Sequence, residues 1–196
     1  MKEPTDRQAE IVAAAFTLIA QNGVQELTIK NLGAAIGVSE PAIYRHFASK
    51  REILEGIVDR LEVIKNATWQ RARGEKQSPG AELRMFFTYQ SRQFEEFPPL
   101  AIILFPEEIF RNDVELLSRI HGIMQETAQD ICCLIREAQK NGEVRSEIDS
   151  HTAALLLTGG FRMLVSGWRT EREKDFSIGL VEKVKDFLKK TVQILG

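Results

Sequence analysis

"TIKNLGAAIGVSEPAIYRHF", residues 28–47, decides the fold. Ile29, Leu32 and Ala35 recur at helical spacing and predict a short helix from about Thr28 to Ala35. "IGV" follows, and Gly37 can take positive φ where the chain must reverse. A second short helix opens at Ser39, a residue type that suits an N-cap. Pro41 falls in its first turn, where a missing N–H costs nothing. Val38 and Ile43 are the apolar residues that pack the second helix on the first. Two short helices joined by a three-residue turn containing glycine form a helix-turn-helix.

Upstream, Thr5 and Gln8 have the spacing of a capping box. Ile11, Ala14, Ala15, Leu18 and Ile19 form one apolar stripe, and "QNG" at 21–23 ends the helix with Gly23 at its C-cap. Downstream, Ser49 and Glu52 form a second capping pair. They open a long helix carrying Ile53, Leu54, Ile57, Leu61 and Ile64 inward, broken by "RGEKQSPG" at 73–80. Longer helices are predicted over 81–97, 113–140, 150–171 and 177–195. A shorter one over 100–111 is kinked or split at Pro106. The 113–140 helix bears a stripe of Leu117, Ile120, Met124, Thr127, Ile131, Leu134 and Ala138. The chain therefore reads as all-α: a three-helix helix-turn-helix module over 1–48, then a larger helical domain over 49–196.

The 196-residue chain has a formal charge of −2, so any basic footprint must be local. Between Thr28 and Arg51 the bases are Lys30, Arg45, Lys50 and Arg51 and the one acid is Glu40, a local excess of three positive charges, with His46 able to add another. Such an excess can neutralise phosphates. Thr28, Ser39 and Ser49 stand at helix N-termini, which favour anions through free N–H groups and dipole. The plainer alternative is three ordinary caps beside a solvated charged face.

The run "LTIKNLGAAIGVSEPAIYRHFASKREIL" resembles the N-terminal module of the TetR family of transcriptional regulators. The matching positions are Thr28, Ile29, Leu32, Ala35, Gly37, Val38, Ser39, Tyr44, Phe47, Lys50 and Leu54, with Arg7, Ile11, Ala15 and Gly23 upstream. The resemblance is specific over about 7–55 and architectural beyond. It implies that Thr28 contacts a phosphate, with Lys30 adding charge on the same helix. It implies that Ser39, Glu40, Pro41, Ala42, Tyr44 and Arg45 belong to a recognition helix in the major groove. Tyr44 and His46 reach the DNA backbone, Lys50 holds a phosphate, and Phe47 packs the core.

The sequence departs from that pattern in places. Gly33 replaces the common alanine, at about 1 kcal/mol of helix propensity. Ile36 stands where a small residue is usual, and Glu40 and Pro41 where a base and a small residue are expected. Glu40 either accepts from a cytosine amino group or only complements the helix dipole.

Helix-turn-helix proteins commonly dimerise, with half-sites about 34–36 Å apart. "AALLLTGGFRMLVSGW" supplies apolar surface and small residues, and the last helix adds Val181, Val184, Phe187, Leu188 and Thr191 at three-and-four spacing. The expected dimer contacts are Leu155, Gly159, Met163, Val181, Val184, Leu188 and Thr191. The resemblance also implies a small effector in the middle helices that releases a palindromic operator on double-stranded DNA. The aromatic-rich region supplies Phe87, Phe94, Phe105 and Phe110, with Met124, and with Gln90 and Thr127 interrupting apolar stripes. An apolar or amphipathic ligand suits such a lining. In the alternative, a TetR-like chain acts through protein partners with no effector.

Other classes find little support. His46, His121 and His151 lie on different predicted helices without zinc-ligand spacing, and no nucleophile elbow or phosphate-binding glycine loop appears. No enzyme, cofactor or metal is expected. Cys132 and Cys133 are adjacent, which disfavours a bridge. They suit small residues beside a helix core in a reducing cytosol, with a thiol-sensing pair as the lesser reading. "LAIILF" at 100–105 is too short to span a bilayer and the first ten residues lack the apolar core of a secretory signal, so a cytoplasmic protein without a membrane partner is expected.

Overall fold

The computed structural model describes residues 4–74, 77–104, 109–172 and 179–195. Among these residues every regular element is helical and there is no strand. The α-helices are α1 (Asp6–Asn22), α2 (Ile29–Ala35), α3 (Glu40–Tyr44), α4 (Lys50–Ala72), α5 (Pro79–Glu96), α6 (Val114–Lys140), α7 (Ser150–Arg172) and α8 (Leu180–Leu195). Short 3-10 turns cover Val24–Glu26 and Pro98–Leu104. The latter replaces the start of the α-helix expected over 100–111. Pro98 and Pro99 supply no N–H groups from which an α ladder can begin. Pro106 and the kink expected there lie outside the described residues, as does Ser177.

Packing sorts the chain into two units. The first comprises the residues up to Val63 together with Pro99–His121. The second comprises Ile64–Pro98 and the residues from Gly122 onward.

In the first unit, the Thr5 and Gln8 capping box closes reciprocally: the Gln8 N–H donates to Thr5 Oγ1 at 3.3 Å and the Thr5 N–H to Gln8 Oε1 at 3.0 Å. α1 buries Ile11, Val12, Ala15, Phe16 and Ile19, so Val12 and Phe16 take places expected of Ala14 and Leu18. Gly23 ends α1 at φ 84°. α2 packs on α1 and α3, with Leu32 and Ile43 fully buried between them and Phe47 5% exposed. Gly37 has φ 70°, and the Val38 N–H donates to the Gly33 carbonyl at 2.8 Å, the long bond of a Schellman turn.

In the second unit, α5 starts at Pro79, earlier than expected. Ser78 accepts from the Ala81 N–H at 3.3 Å, and Pro79 occupies the first helical position. Carboxylates from elsewhere in the unit cap two of its helices. Glu143 Oε2 accepts from Ser78 Oγ at 2.5 Å and the Gly80 N–H at 3.2 Å, and Glu95 Oε1 accepts from the Val181 N–H at 2.9 Å. α6 runs through both units: it buries Leu116 and Ile120 in the first and Ile131, Ile135 and Ala138 in the second, so Leu116 and Ile135 stand in place of Leu117 and Leu134. α8 packs on α5 and α7 and buries Val181, Val184 and Leu188 within the single chain.

Candidate nucleic-acid interface

The three-helix arrangement leaves one polar face uncovered. Thr28, Lys30, Ser39, Glu40, Pro41, Tyr44 and Arg45 are exposed, while Ala42, His46 and Lys50 are partly buried. Tyr44 stands out, because a large ring remains 52% exposed at the end of α3.

Thr28 caps α2 by accepting from the Asn31 N–H at 3.0 Å, and its own hydroxyl hydrogen remains available to an acceptor. Ser39 occupies the N-cap position of α3, yet its side chain accepts no capping bond. Two features of the backbone explain this. Pro41, two residues on, has no N–H, and the Ala42 N–H already donates to the Ser39 carbonyl at 2.9 Å. The Ser39 hydroxyl therefore faces solvent free of the helix. Lys30, Glu40, Tyr44 and Arg45 likewise have no side-chain partner among the described residues.

The turn after α3 is held from three sides. Gln8 Nε2 donates to the His46 carbonyl at 3.2 Å, so the residue that caps α1 also grips the end of α3. Glu52 accepts from the Ala48 N–H, one residue before the donor a standard capping box uses. The Ser49 hydroxyl accepts from the Glu52 N–H at 3.2 Å. Lys50 Nζ donates to the Val24 carbonyl at 3.1 Å. That bond occupies one of three ammonium donors and fixes the charge at the start of α4, with two donors left over.

Arg51 is different. Its guanidinium meets Asp113 at 2.8 Å, Glu115 at 2.5 Å and Glu55. The Asp113 carboxyl is held below its ordinary value by the Leu116 N–H and by Arg51, against the opposing effect of desolvation. Arg51 must therefore be struck from the positive excess counted in the sequence, which leaves Lys30, Arg45 and Lys50 against Glu40. The sequence signal is local, and the acids that neutralise Arg51 include two more than sixty residues away.

Residues expected elsewhere fall as follows. Phe87 and Phe94 are buried in the second unit, where both rings pack on Phe161, with centroids 5.0 and 6.1 Å away. Gln90 and Thr127 are half-buried, and the Thr127 hydroxyl donates to the Ile123 carbonyl at 2.9 Å. Met124 is exposed. Phe110 is buried in the first unit, and Phe105 lies outside the described residues. A cavity of about 20 Å³ in the second unit, lined by Leu83, Ile135, Glu143 and Leu157 among others, has room for little more than a water and touches none of these.

Leu155, Gly159 and Met163 lie on an outward face of α7, with Leu155 65% and Met163 72% exposed. Val181, Val184 and Leu188 are buried within the single chain, and Thr191 is half-buried. Cys132 Sγ lies 3.3 Å from Ser150 Oγ, and Cys133 is exposed. Among the described residues no group of His, Cys, Asp and Glu is placed to hold a metal, and no helix is long and apolar enough to cross a membrane.

A family model described as "Bacterial regulatory proteins, tetR family" matches residues 11–57. A second, described as "YsiA-like protein, C-terminal region", matches 58–191, more than half of the chain. The chain belongs to the TetR family. It is a DNA-binding transcription regulator and not an enzyme. Over 156 residues this regulator is 28% identical to the nucleoid occlusion factor SlmA of Photobacterium profundum, covering 79% of this chain and 80% of that one. Its fold resembles that of the fatty acid degradation regulator FadR from Bacillus halodurans, with TM-score 0.79, 20% identity and 97% of both chains covered. FadR from Bacillus subtilis, solved in complex with stearoyl-CoA, superposes with TM-score 0.75 at 21% identity, covering 94% of this chain and 97% of that one.

Proposed function

We propose that this regulator binds a palindromic operator as a homodimer, represses from it, and leaves it when a small amphipathic effector occupies the middle helices. The observation that carries this reading is the uncovered face of α2 and α3. Ser39, Tyr44 and Arg45 are presented to solvent by a backbone held by Gln8, Glu52 and Lys50. Residues 1–48 form the DNA-binding part and 49–196 the effector-binding and dimerising part. α3 enters the major groove, Thr28, Tyr44, His46 and Lys50 meet phosphates, and Arg45 and Glu40 face base edges. α7 supplies the dimer face through Leu155, Gly159 and Met163. Phe87, Gln90 and Phe94 line the effector site. Effector binding shifts α4, which begins at Lys50, and so changes half-site spacing.

The fold shared with FadR, one structure of which holds stearoyl-CoA, supports an effector with an acyl chain. A second reading has its own support in the likeness to SlmA, whose role is named for the nucleoid and not for a metabolite. On that reading the regulator acts at DNA through a protein partner, with no effector.

The test is to select binding sites from random DNA, then titrate stearoyl-CoA against the complex while following fluorescence anisotropy. The effector reading expects a two-fold symmetric consensus and a loss of affinity of about tenfold or more at saturation. A symmetric site whose affinity no acyl compound changes favours the partner reading.

A further inference from the structure

Most buried polar side chains of the second unit are paired. Thr68, fully buried, donates to the Ile64 carbonyl at 2.8 Å and accepts from Gln93 Nε2 at 2.7 Å. Thr88 donates to the Arg84 carbonyl at 2.8 Å, and Ser91 to the Phe87 carbonyl at 2.7 Å. Glu143 leaves Oε1 without a partner, but its other oxygen accepts twice. Trp69, in α4, has no such compensation: it is 3% exposed, and its indole N–H has no partner. A buried orphan donor is costly and uncommon.

Its surroundings are asymmetric. The indole stacks on Phe86, with centroids 4.1 Å apart. From there a line of rings continues through Phe87 and Phe161 to Phe94. The Arg73 guanidinium carbon lies 5.3 Å from the indole centroid, on a side chain that is 58% exposed and only loosely paired with Asp130 at 3.6 Å. A hydrogen-bond donor thus stands between an apolar run of rings and a cation reachable from water. Resting on the effector reading above, we infer that Trp69 donates its indole N–H to an acceptor oxygen at the head of the effector, an anionic acyl compound whose chain lies along the rings and whose charge faces Arg73.

An acyl-CoA and a free fatty acid share this chemistry, so both are tested. Lauroyl-CoA, laurate and dodecyltrimethylammonium, which has the chain without the acceptor, are titrated against the DNA complexes of the wild type and of Trp69→Phe. Trp69→Phe keeps the aromatic stack and removes the N–H. Release of the wild type by one or both acyl compounds, and not by the cation, is expected. Trp69→Phe should need about tenfold more of the same compound. Without ligand it should bind DNA as the wild type does. Whichever acyl compound acts at the lower concentration identifies the source.

Equal responses of the two proteins or equal release by the cation would each overturn the inference while leaving an effector in place. A wild type that no probe releases overturns the effector reading and this inference with it.

Discussion

A methyl group at position 33 would stand 2.7 Å from the Val38 carbonyl oxygen, closer than a Cβ can sit to backbone without a shift. Helix propensity alone says that replacing Gly33 with alanine stabilises α2 by about 1 kcal/mol. The Schellman turn says otherwise, because Val38 lies at its tightest point and leads directly into α3. Overpacking of this kind costs about 1–3 kcal/mol. Gly33→Ala is therefore expected to lower the unfolding free energy by a net ~1 kcal/mol, read as a lower urea midpoint, and to weaken operator binding by tilting α3. A raised midpoint with unchanged affinity would mean that the turn opens freely. The capping bonds of Thr5 and the φ of Gly37 were legible in the sequence because both are local. The second bond of Gln8, to the His46 carbonyl, was not, since those residues are 38 apart and meet only when α1 crosses the end of α3.

At the scale of elements, the helices that were well placed are those whose ends carry their own caps. α1 and α2 begin at Thr5 and Thr28 as expected. α5 was misplaced because Ser78 and Pro79 sit in a stretch whose glycines read as a break. The stripe of α6 differs by one residue in two places because Leu116 beside Leu117, and Ile135 beside Leu134, satisfy nearly the same period. α7 offers a test of a cap by pH. Asp149 Oδ1 accepts from the Thr152 N–H at 3.0 Å and the His151 N–H at 3.1 Å. Its carboxyl is held below the ordinary value by bonds from the Thr152 side chain and backbone, against desolvation. A depressed folded-state pKa means that the unfolded chain binds this proton more readily. The stability it contributes is whole at neutral pH and is lost as pH falls below about 4. Asparagine caps nearly as well and does not titrate. Asp149→Asn should match the wild type at pH 7 and show a shallower decline in urea midpoint between about pH 5 and 3. Parallel declines would remove Asp149 from the acid limb and leave it to other carboxylates such as Asp113.

Assembly is where the sequence was hardest to read, because apolar residues on α7 and α8 serve two purposes with one spacing. The adjacent glycines of α7 show the division. A Cβ on Gly160 would meet the Phe187 ring at 2.5 Å, so that glycine lets α8 approach within the chain. Gly159 has nothing within 4 Å and shares an outward face with Leu155, Leu156 and Met163. Periodicity cannot tell these uses apart, since both helices are apolar at three-and-four intervals and only packing reveals which face is already covered. In the homodimer proposed above, the uncovered face of α7 is the one that a second copy would bury. Replacing Leu155 and Met163 with arginine tests it, because each is more than half exposed and neither supports the single-chain core. The double variant should retain its helical circular dichroism, sediment as a monomer, and lose the melting temperature that association adds. Operator binding should fall by about a thousandfold or more, towards the salt-governed level of non-specific contact, since one recognition helix reads only half a site. A variant that still sediments as a dimer and binds its operator would place the two-fold axis elsewhere on the molecule.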